Sequence, residues 1–238
     1  MIQSQWESLE SEIVACRRCP RLVAWREEVG QRRRRAYVDE EYWSKPVPGF
    51  GDRLARVWIV GLAPGAHGAN RTGRLFTGDS SGQFLYSALY RAGFASRPDS
   101  YQRGDGMLLR DAFLSAACRC APPANKPSPQ ELLACRPFLV REVALLRGLR
   151  VIVALGRIAF DAVLQIDRRL SQSTLEPGPV TTADSRSLVF KHAAVYRLSA
   201  ASPWLIASFH PSRQNTQTGR LTTAMFDEVW DRARSLLE

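Results

Sequence analysis

Four apolar runs punctuate the 238-residue chain, at about 56–62, 111–117, 151–155 and 204–209. Runs such as Val57-Trp58-Ile59-Val60 and Val151-Ile152-Val153-Ala154-Leu155 are continuous rather than alternating, the pattern of strands covered on both faces. Between them, apolar positions recur at helical spacing and predict helices at about 82–92, 129–147 and 157–166. Further amphipathic segments predict helices at about 5–15 and 220–237. Strands alternating with helices predict an α/β fold with a parallel sheet flanked by helices. Ser187-Leu188-Val189-Phe190 and Ala194-Val195-Tyr196-Arg197 suggest an edge hairpin within 180–200. Residues 20–53 read as an irregular, basic surface excursion carrying Arg32-Arg33-Arg34-Arg35 and the turn-rich KPVPGFGD. The expectation is one domain over 1–238 with an N-terminal cysteine-pair and basic segment at about 1–53.

The first strand opens into GLAPGAHGANRTGRLFTGDSSG, residues 61–82, where glycines, arginines, an aromatic and one carboxylate share a loop. Connections in α/β units run about 2–6 residues, so this one exceeds what chain reversal needs. Gly61, Gly65 and Gly68 permit close approach of the backbone to a ligand, and Pro64 stiffens the bend. The other strands are followed by CRCAPPANKP, by Leu155-Gly156-Arg157 and by His210-Pro211-Ser212. All these segments fall at one edge of a parallel sheet, where open α/β folds place their chemistry.

The chain is 45% hydrophobic, enough for a substantial core, and carries a net charge of +10 with a pI near 9.9. Lysine occurs only at Lys45, Lys126 and Lys191, so the excess is arginine. A GC-rich genome explains arginine over lysine but not the surplus over Asp and Glu, and the balance points to a polyanionic partner such as nucleic acid. No apolar run is long enough to span a bilayer, and MIQSQWESLESEI is too polar for a secretory leader. A cytoplasmic location is expected.

Cys16 and Cys19 form C-x2-C, and Cys120 and Cys135 form C-x14-C about a hundred residues later, with Cys118 left over. In a reducing compartment two bracketed pairs read as a metal site rather than as disulfides. Four thiolates suit zinc or an iron–sulfur cluster, and spacing does not choose between them.

Taken in order, CRRCPRL, PVPGFGD, GLAPGAHGANRTGRLFTGD, CRCAPPANKP, Cys135, VIVALGRIAF and HPSRQNTQTGRLT resemble the iron–sulfur uracil-DNA glycosylases, most closely the B-type branch called family 5. The resemblance covers nearly the whole chain. It implies a three-layer fold with a central four-stranded parallel sheet, hydrolysis of the N-glycosidic bond to a deaminated base in DNA, and a [4Fe–4S] cluster. By that resemblance the cluster ligands are Cys16, Cys19, Cys120 and Cys135, and Cys118 is a core residue.

Two departures from related glycosylases refine the expectation. Where relatives carry a water-activating side chain just after the first strand, this chain has Leu62 and Ala63, so Asp79 is the expected catalytic carboxylate, with a helix N-cap as its plainer role. Where A-type enzymes carry an asparagine before the cluster cysteine, this chain has Ala116, which implies room for bases larger than uracil, hypoxanthine among them. Asn125 is then expected to supply part of the missing polar contact or to assist water, against the plainer reading of a turn residue. Phe76 is expected to stack on the extruded base and His210 to donate a hydrogen bond to its carbonyl oxygen as it leaves. Gly61, Ala63 and Gly65 are expected along the base, and Asn215 with Gln217 at the opposite strand. The expected partner is DNA containing deaminated bases, bound by a monomer. The rival readings are a zinc-stabilised nucleic-acid-binding module without catalysis, and a nucleotide hydrolase, disfavoured because the loop lacks a GK[ST] ending.

Overall fold

The structure is a computed structural model that describes residues 2–172, 188–197 and 201–238. The N-terminal part consists of helix α1 (Ile2–Ala15), helix α2 (Pro20–Arg32) and a single 3-10 turn, Arg35–Tyr37. The sheet follows: β1 (Phe50–Gly51), β2 (Val57–Gly61), β3 (Ala112–Ala116), β4 (Val151–Leu155), β5 (Val195–Arg197) and β6 (Trp204–Ser208). Helices α3 (Ala69–Thr72) and α4 (Ser80–Arg91) connect β2 to β3. Helix α5 (Pro129–Leu145) joins β3 to β4, and α6 (Arg157–Gln172) leaves β4. The chain closes with α7 (Arg213–Gln217) and α8 (Thr223–Ser235).

The sheet order is β1-β3-β2-β4-β6-β5. Its centre, β3-β2-β4-β6, is parallel throughout, with Val57 opposite Ala112 and Val151, and Val151 opposite Trp204. The four expected strands are therefore present, but the sheet is mixed and six-stranded, because β1 pairs antiparallel with β3 and β5 antiparallel with β6. The expected edge hairpin is corrected: 195–197 pairs with β6 instead, Leu188 to Phe190 form no strand, and Ser187 lies outside the described residues.

The two faces of the sheet read off the strands residue by residue. Val57, Ile59, Leu114, Val151, Val153 and Ile206 pack with Leu85 and Leu89 of α4 and Phe226 and Trp230 of α8. Trp58, Val60, Phe113, Ile152, Ala154 and Leu205 pack with Trp6 of α1, Phe138 of α5 and Phe160 of α6. Strands covered on both sides are why these runs show no polar alternation. No helix of the described residues is long and apolar enough to cross a membrane.

The segment expected to be irregular from residue 20 onward is helical to Arg32. Pro20 opens α2 at its first position, where a missing N–H costs nothing, and Leu22, Val23, Arg26 and Val29 form the buried stripe. An arginine on that stripe conceals the helical period from a reading based on apolar residues.

Candidate active site

The ends of the parallel strands remain tied together past the sheet. Ala117 N–H donates to the Gly61 carbonyl at 2.9 Å, Cys118 N–H to Leu62 at 2.9 Å, and Gly156 N–H to Ser208 at 2.7 Å. The loop after β2 therefore starts from a fixed edge. It turns at once, with Gly68 and Asn70 N–H both donating to the Gly65 carbonyl, and short helix α3 follows.

Asp79 caps α4. Its Oδ1 accepts from Gly82 N–H at 2.9 Å, so the plainer role expected for it is real. Its Oδ2 faces the glycine loop: a Cβ on Gly65 would stand 2.8 Å from that oxygen, and one on Gly68 would overlap it. Those two glycines are what lets the loop close over the carboxylate. Burial raises the Asp79 pKa above the ordinary carboxylate value, against the lowering pull of the Gly82 and Ser81 amides and of the Arg71 charge.

Phe76 adopts φ 51°, a left-handed conformation uncommon for an aromatic residue. Its ring lies against Gly61, where a Cβ would come within 2.6 Å of it. A side chain at Gly82 would likewise strike the Phe76 carbonyl. The aromatic is thus held by two glycines, one at the end of β2 and one in the first turn of α4. Ala116 lies opposite Gly61 in the sheet register and belongs to the same apolar cluster as Phe76.

His210 meets this wall from the end of β6, its ring centroid 5.8 Å from that of Phe76. Part of the residue reaches the surface, yet the imidazole is enclosed enough that burial pushes its pKa down to about 4. It is therefore a neutral ring at physiological pH, with one N–H to donate. Gly156, at φ 97°, clears the space beside it: a Cβ there would stand 3.2 Å from His210 Cβ. Asn215 Nδ2 donates to the His210 carbonyl at 2.8 Å, so Asn215 braces the histidine loop.

Other expected residues fall elsewhere. Ala63 packs against the cysteine patch formed by Leu22, Cys118, Cys120 and Cys135. Asn125 is exposed, follows Ala124 into a second positive φ, and makes no hydrogen bond to Asp79 or His210. The remaining histidines have structural partners. His67 Nδ1 pairs with Tyr42 Oη at 3.0 Å. His192 accepts from Phe209 N–H and meets the Met225 carbonyl with Nε2, which fixes its proton on Nε2 and pins the end of β6. A groove of about 440 Å³ lies away from this wall, at the β1 edge among Phe50, Arg53, Arg74, Arg103 and Met107.

Sequence reading missed a buried clamp beneath the loop. Arg74 pairs with Asp105 at 2.6 Å and donates to Ser100 and Thr77, all four side chains lying between the glycine loop and the segment before β3. Three backbone N–H groups, from Tyr101, Gln102 and Met107, donate to Asp105, and its pKa lies far below the ordinary range. Arg74 stands two residues before Phe76, so the clamp holds the backbone that must take the strained turn. Nothing in the sequence distinguishes this arginine from the many on the surface.

All five cysteines are free thiols. Cys16 and Cys19 lie in the link between α1 and α2, Cys120 after β3, and Cys135 in α5. Among the described residues no three His, Cys, Asp or Glu side chains converge closely enough to grip a metal ion. The surroundings nevertheless suit an anionic sulfur centre. Arg26, fully buried, donates to Cys120 Sγ at 3.0 Å, and its Nε has no partner. A neutral thiol is a poor match for a buried guanidinium, whereas thiolate sulfur is a good one.

Comparison with known proteins bears on this geometry. The family profile described as "Uracil DNA glycosylase superfamily" matches residues 48–234. The type-5 uracil-DNA glycosylase of Thermus thermophilus is 52% identical over 231 residues, covering 97% of both chains. The type-5 uracil-DNA glycosylase of Mycobacterium tuberculosis is 46% identical over 229 residues, 96% of this chain and 80% of that one. The type-4 uracil-DNA glycosylase of Pyrobaculum aerophilum is 35% identical over 133 residues, 56% of this chain and 60% of its own. With the matched segment spanning the whole sheet and carrying Asp79, Phe76 and His210, the chain belongs to the uracil DNA glycosylase superfamily.

Proposed function

We propose that this protein excises uracil and larger deaminated bases, hypoxanthine among them, from DNA by hydrolysing the N-glycosidic bond and leaving an abasic site. The observation that carries the reading is the wall formed by Phe76, Gly61 and Ala116 with the neutral His210 ring beside it. A flipped base stacks on an aromatic face and is read by groups at its edge. Here the strand ends supply a glycine, a small alanine and no amide, which places few polar demands on a base held there.

Breaking the bond between C1′ and the base nitrogen puts positive charge on the sugar and negative charge on the base. A neutral imidazole is suited to donate to the departing base's oxygen from a buried position, because it offers an N–H without a charge that burial would penalise. His210 has that protonation state, and Asn215 fixes the backbone from which it reaches. The water that completes hydrolysis needs a proton acceptor, and the sugar cation needs a counter-ion. Asp79 Oδ2, aimed at Gly65 and Gly68 while Oδ1 is occupied by the helix cap, meets both needs.

We also propose that Cys16, Cys19, Cys120 and Cys135 hold a [4Fe–4S] cluster, supported by the free thiols of the cysteine patch and the buried Arg26 directed at Cys120. When bound, such a group ties the link between α1 and α2 to the end of β3 and to α5. The rival of a zinc-stabilised binding module leaves Asp79, Phe76 and His210 without a task.

The test is incubation with duplexes that each carry one uracil, hypoxanthine or undamaged base, followed by alkaline cleavage at abasic sites. Cleavage at uracil and hypoxanthine is expected, and DNA binding without cleavage would overturn the reading. Ala116→Asn should shift the ratio of rates towards uracil, since an amide there pairs with the pyrimidine edge and crowds a purine. An unchanged ratio would remove Ala116 from the slot.

A further inference from the structure

Arg26 is 2% exposed, on the inward stripe of α2. Its Nη1 donates to Cys120 Sγ at 3.0 Å, and its two terminal nitrogens reach the Cys16 carbonyl at 3.3 and 3.4 Å. Its one carboxylate contact among the described residues is long: Glu27 pairs with Arg26 at 3.7 Å and is engaged more closely by Arg17 through both its oxygens. Nε finds no partner at all. The other buried guanidinium nearby is treated differently. Arg119, 1% exposed, also leaves Nε and Nη1 without partners, but through Nη2 it meets the equally buried Glu142 and Ser115. A buried cation whose charge is not closely compensated is destabilising. The fold meets Arg119 with a close, buried carboxylate, and gives Arg26 a long pair to the partly exposed Glu27 and a short contact to sulfur.

The backbone that carries this guanidinium is also fixed. The buried Asn70 donates Nδ2 to the Arg26 carbonyl at 3.2 Å, and α2 docks on α3. Arg26 therefore reaches Cys120 from a point on α2 that is tied to the glycine loop. Its hydrogen bonds run to two of the four cysteines proposed as ligands, one through sulfur and one through a backbone oxygen.

We propose that Arg26 is the built-in counter-cation of the four-cysteine centre, with its Nη1–H on Cys120 sulfur stabilising the more reduced, more negative state of the bound group. The inference rests on the cluster reading given above. Arg26 acts through Cys120 and takes no part in excision chemistry, so the readout is the centre itself rather than the rate of base release. A cation hydrogen-bonded to a ligating sulfur raises the reduction potential and strengthens retention of the group.

The experiment compares purified holoprotein with Arg26→Met, Arg26→Gln and Arg26→Lys. Iron and acid-labile sulfide are assayed first, then the midpoint potential by spectroelectrochemistry, then the rate of bleaching by an iron chelator. The neutral variants are expected to show a more negative potential and bleaching several-fold faster, with Lys close to wild type. Wild-type protein without iron and sulfide would overturn the cluster reading, and this inference with it. A full iron complement with unchanged potential and bleaching in Met and Gln would overturn the role of Arg26 alone. Should neither neutral variant fold, Arg26→Lys decides: a wild-type potential upholds the counter-cation, and failure to fold overturns it in favour of packing.

Discussion

At the scale of single residues, the two catalytic candidates have been moved by burial in opposite directions. The Asp79 pKa is raised, so the fold favours its neutral form and carries the carboxylate at a cost above the ordinary value of 3.8. Asp79→Asn keeps the oxygen that caps α4 and removes the buried charge. Its melting temperature at pH 7 should equal or exceed wild type, with the difference closing at low pH, while single-turnover excision slows by roughly 10²–10³-fold. Undiminished excision by the asparagine variant would reduce Asp79 to a cap. His210 is lowered from 6.5 to about 4, so between those values the unfolded chain binds a proton that the native protein refuses. Stability contributed by the neutral ring is complete above pH 6.5 and is lost as pH falls through about 4. Urea titrations across that window should show a shallower acid decline for His210→Gln than for wild type, and equal slopes would mean the ring is solvated.

At the scale of elements, the glycine loop works because two side chains are missing from it. Gly68 adopts no positive φ, and the clash of a Cβ with Asp79 Oδ2 already requires a glycine there for space. Gly68→Ala should leave α4 and the sheet intact, push Asp79 Oδ2 away, and lower excision by about 10²-fold, the scale of loss for a displaced catalytic group. Circular dichroism separates that outcome from unfolding. The loop itself was legible from its length and its glycines, as were the four central strands, whose apolar runs report burial on both faces. Three things were not. Helix α2 was hidden because Arg26 occupies an inward position. Strands β1 and β5, of two and three residues, are too short to leave a periodic signal and exist only through pairing with β3 and β6. The Arg74–Asp105 clamp joins residues 31 apart in sequence, and its burial is decided by the folded chain rather than by any local pattern.

At the scale of the whole molecule, a net charge of +10 does not make every arginine a DNA contact. Much of the surface charge is already paired, as in Arg91 with Asp227, Arg141 with Glu12 and Arg157 with Asp161. Such exposed pairs add little to stability, and they also leave little net field for a phosphate to feel. The segment after His210 differs. Arg213 and Arg220 are exposed at either end of α7 and engage no carboxylate in the ion pairs of the described residues, and Arg220 lies over the Phe209 ring at 4.9 Å. Both stand within ten residues of the histidine that meets the base wall, so phosphates flanking an extruded nucleotide fall to them. Each phosphate contact releases close to one counter-ion, and the slope of log affinity against log salt counts them. Arg213→Ala and Arg220→Ala should each lower the magnitude of that slope for abasic-site DNA by about 1, with the double variant near 2. Arg91→Ala, which unpairs Asp227 on the α4–α8 face, should leave the slope unchanged. A wild-type slope in all four variants would move the DNA track away from α7, towards the exposed Arg34 and Arg35 that follow α2.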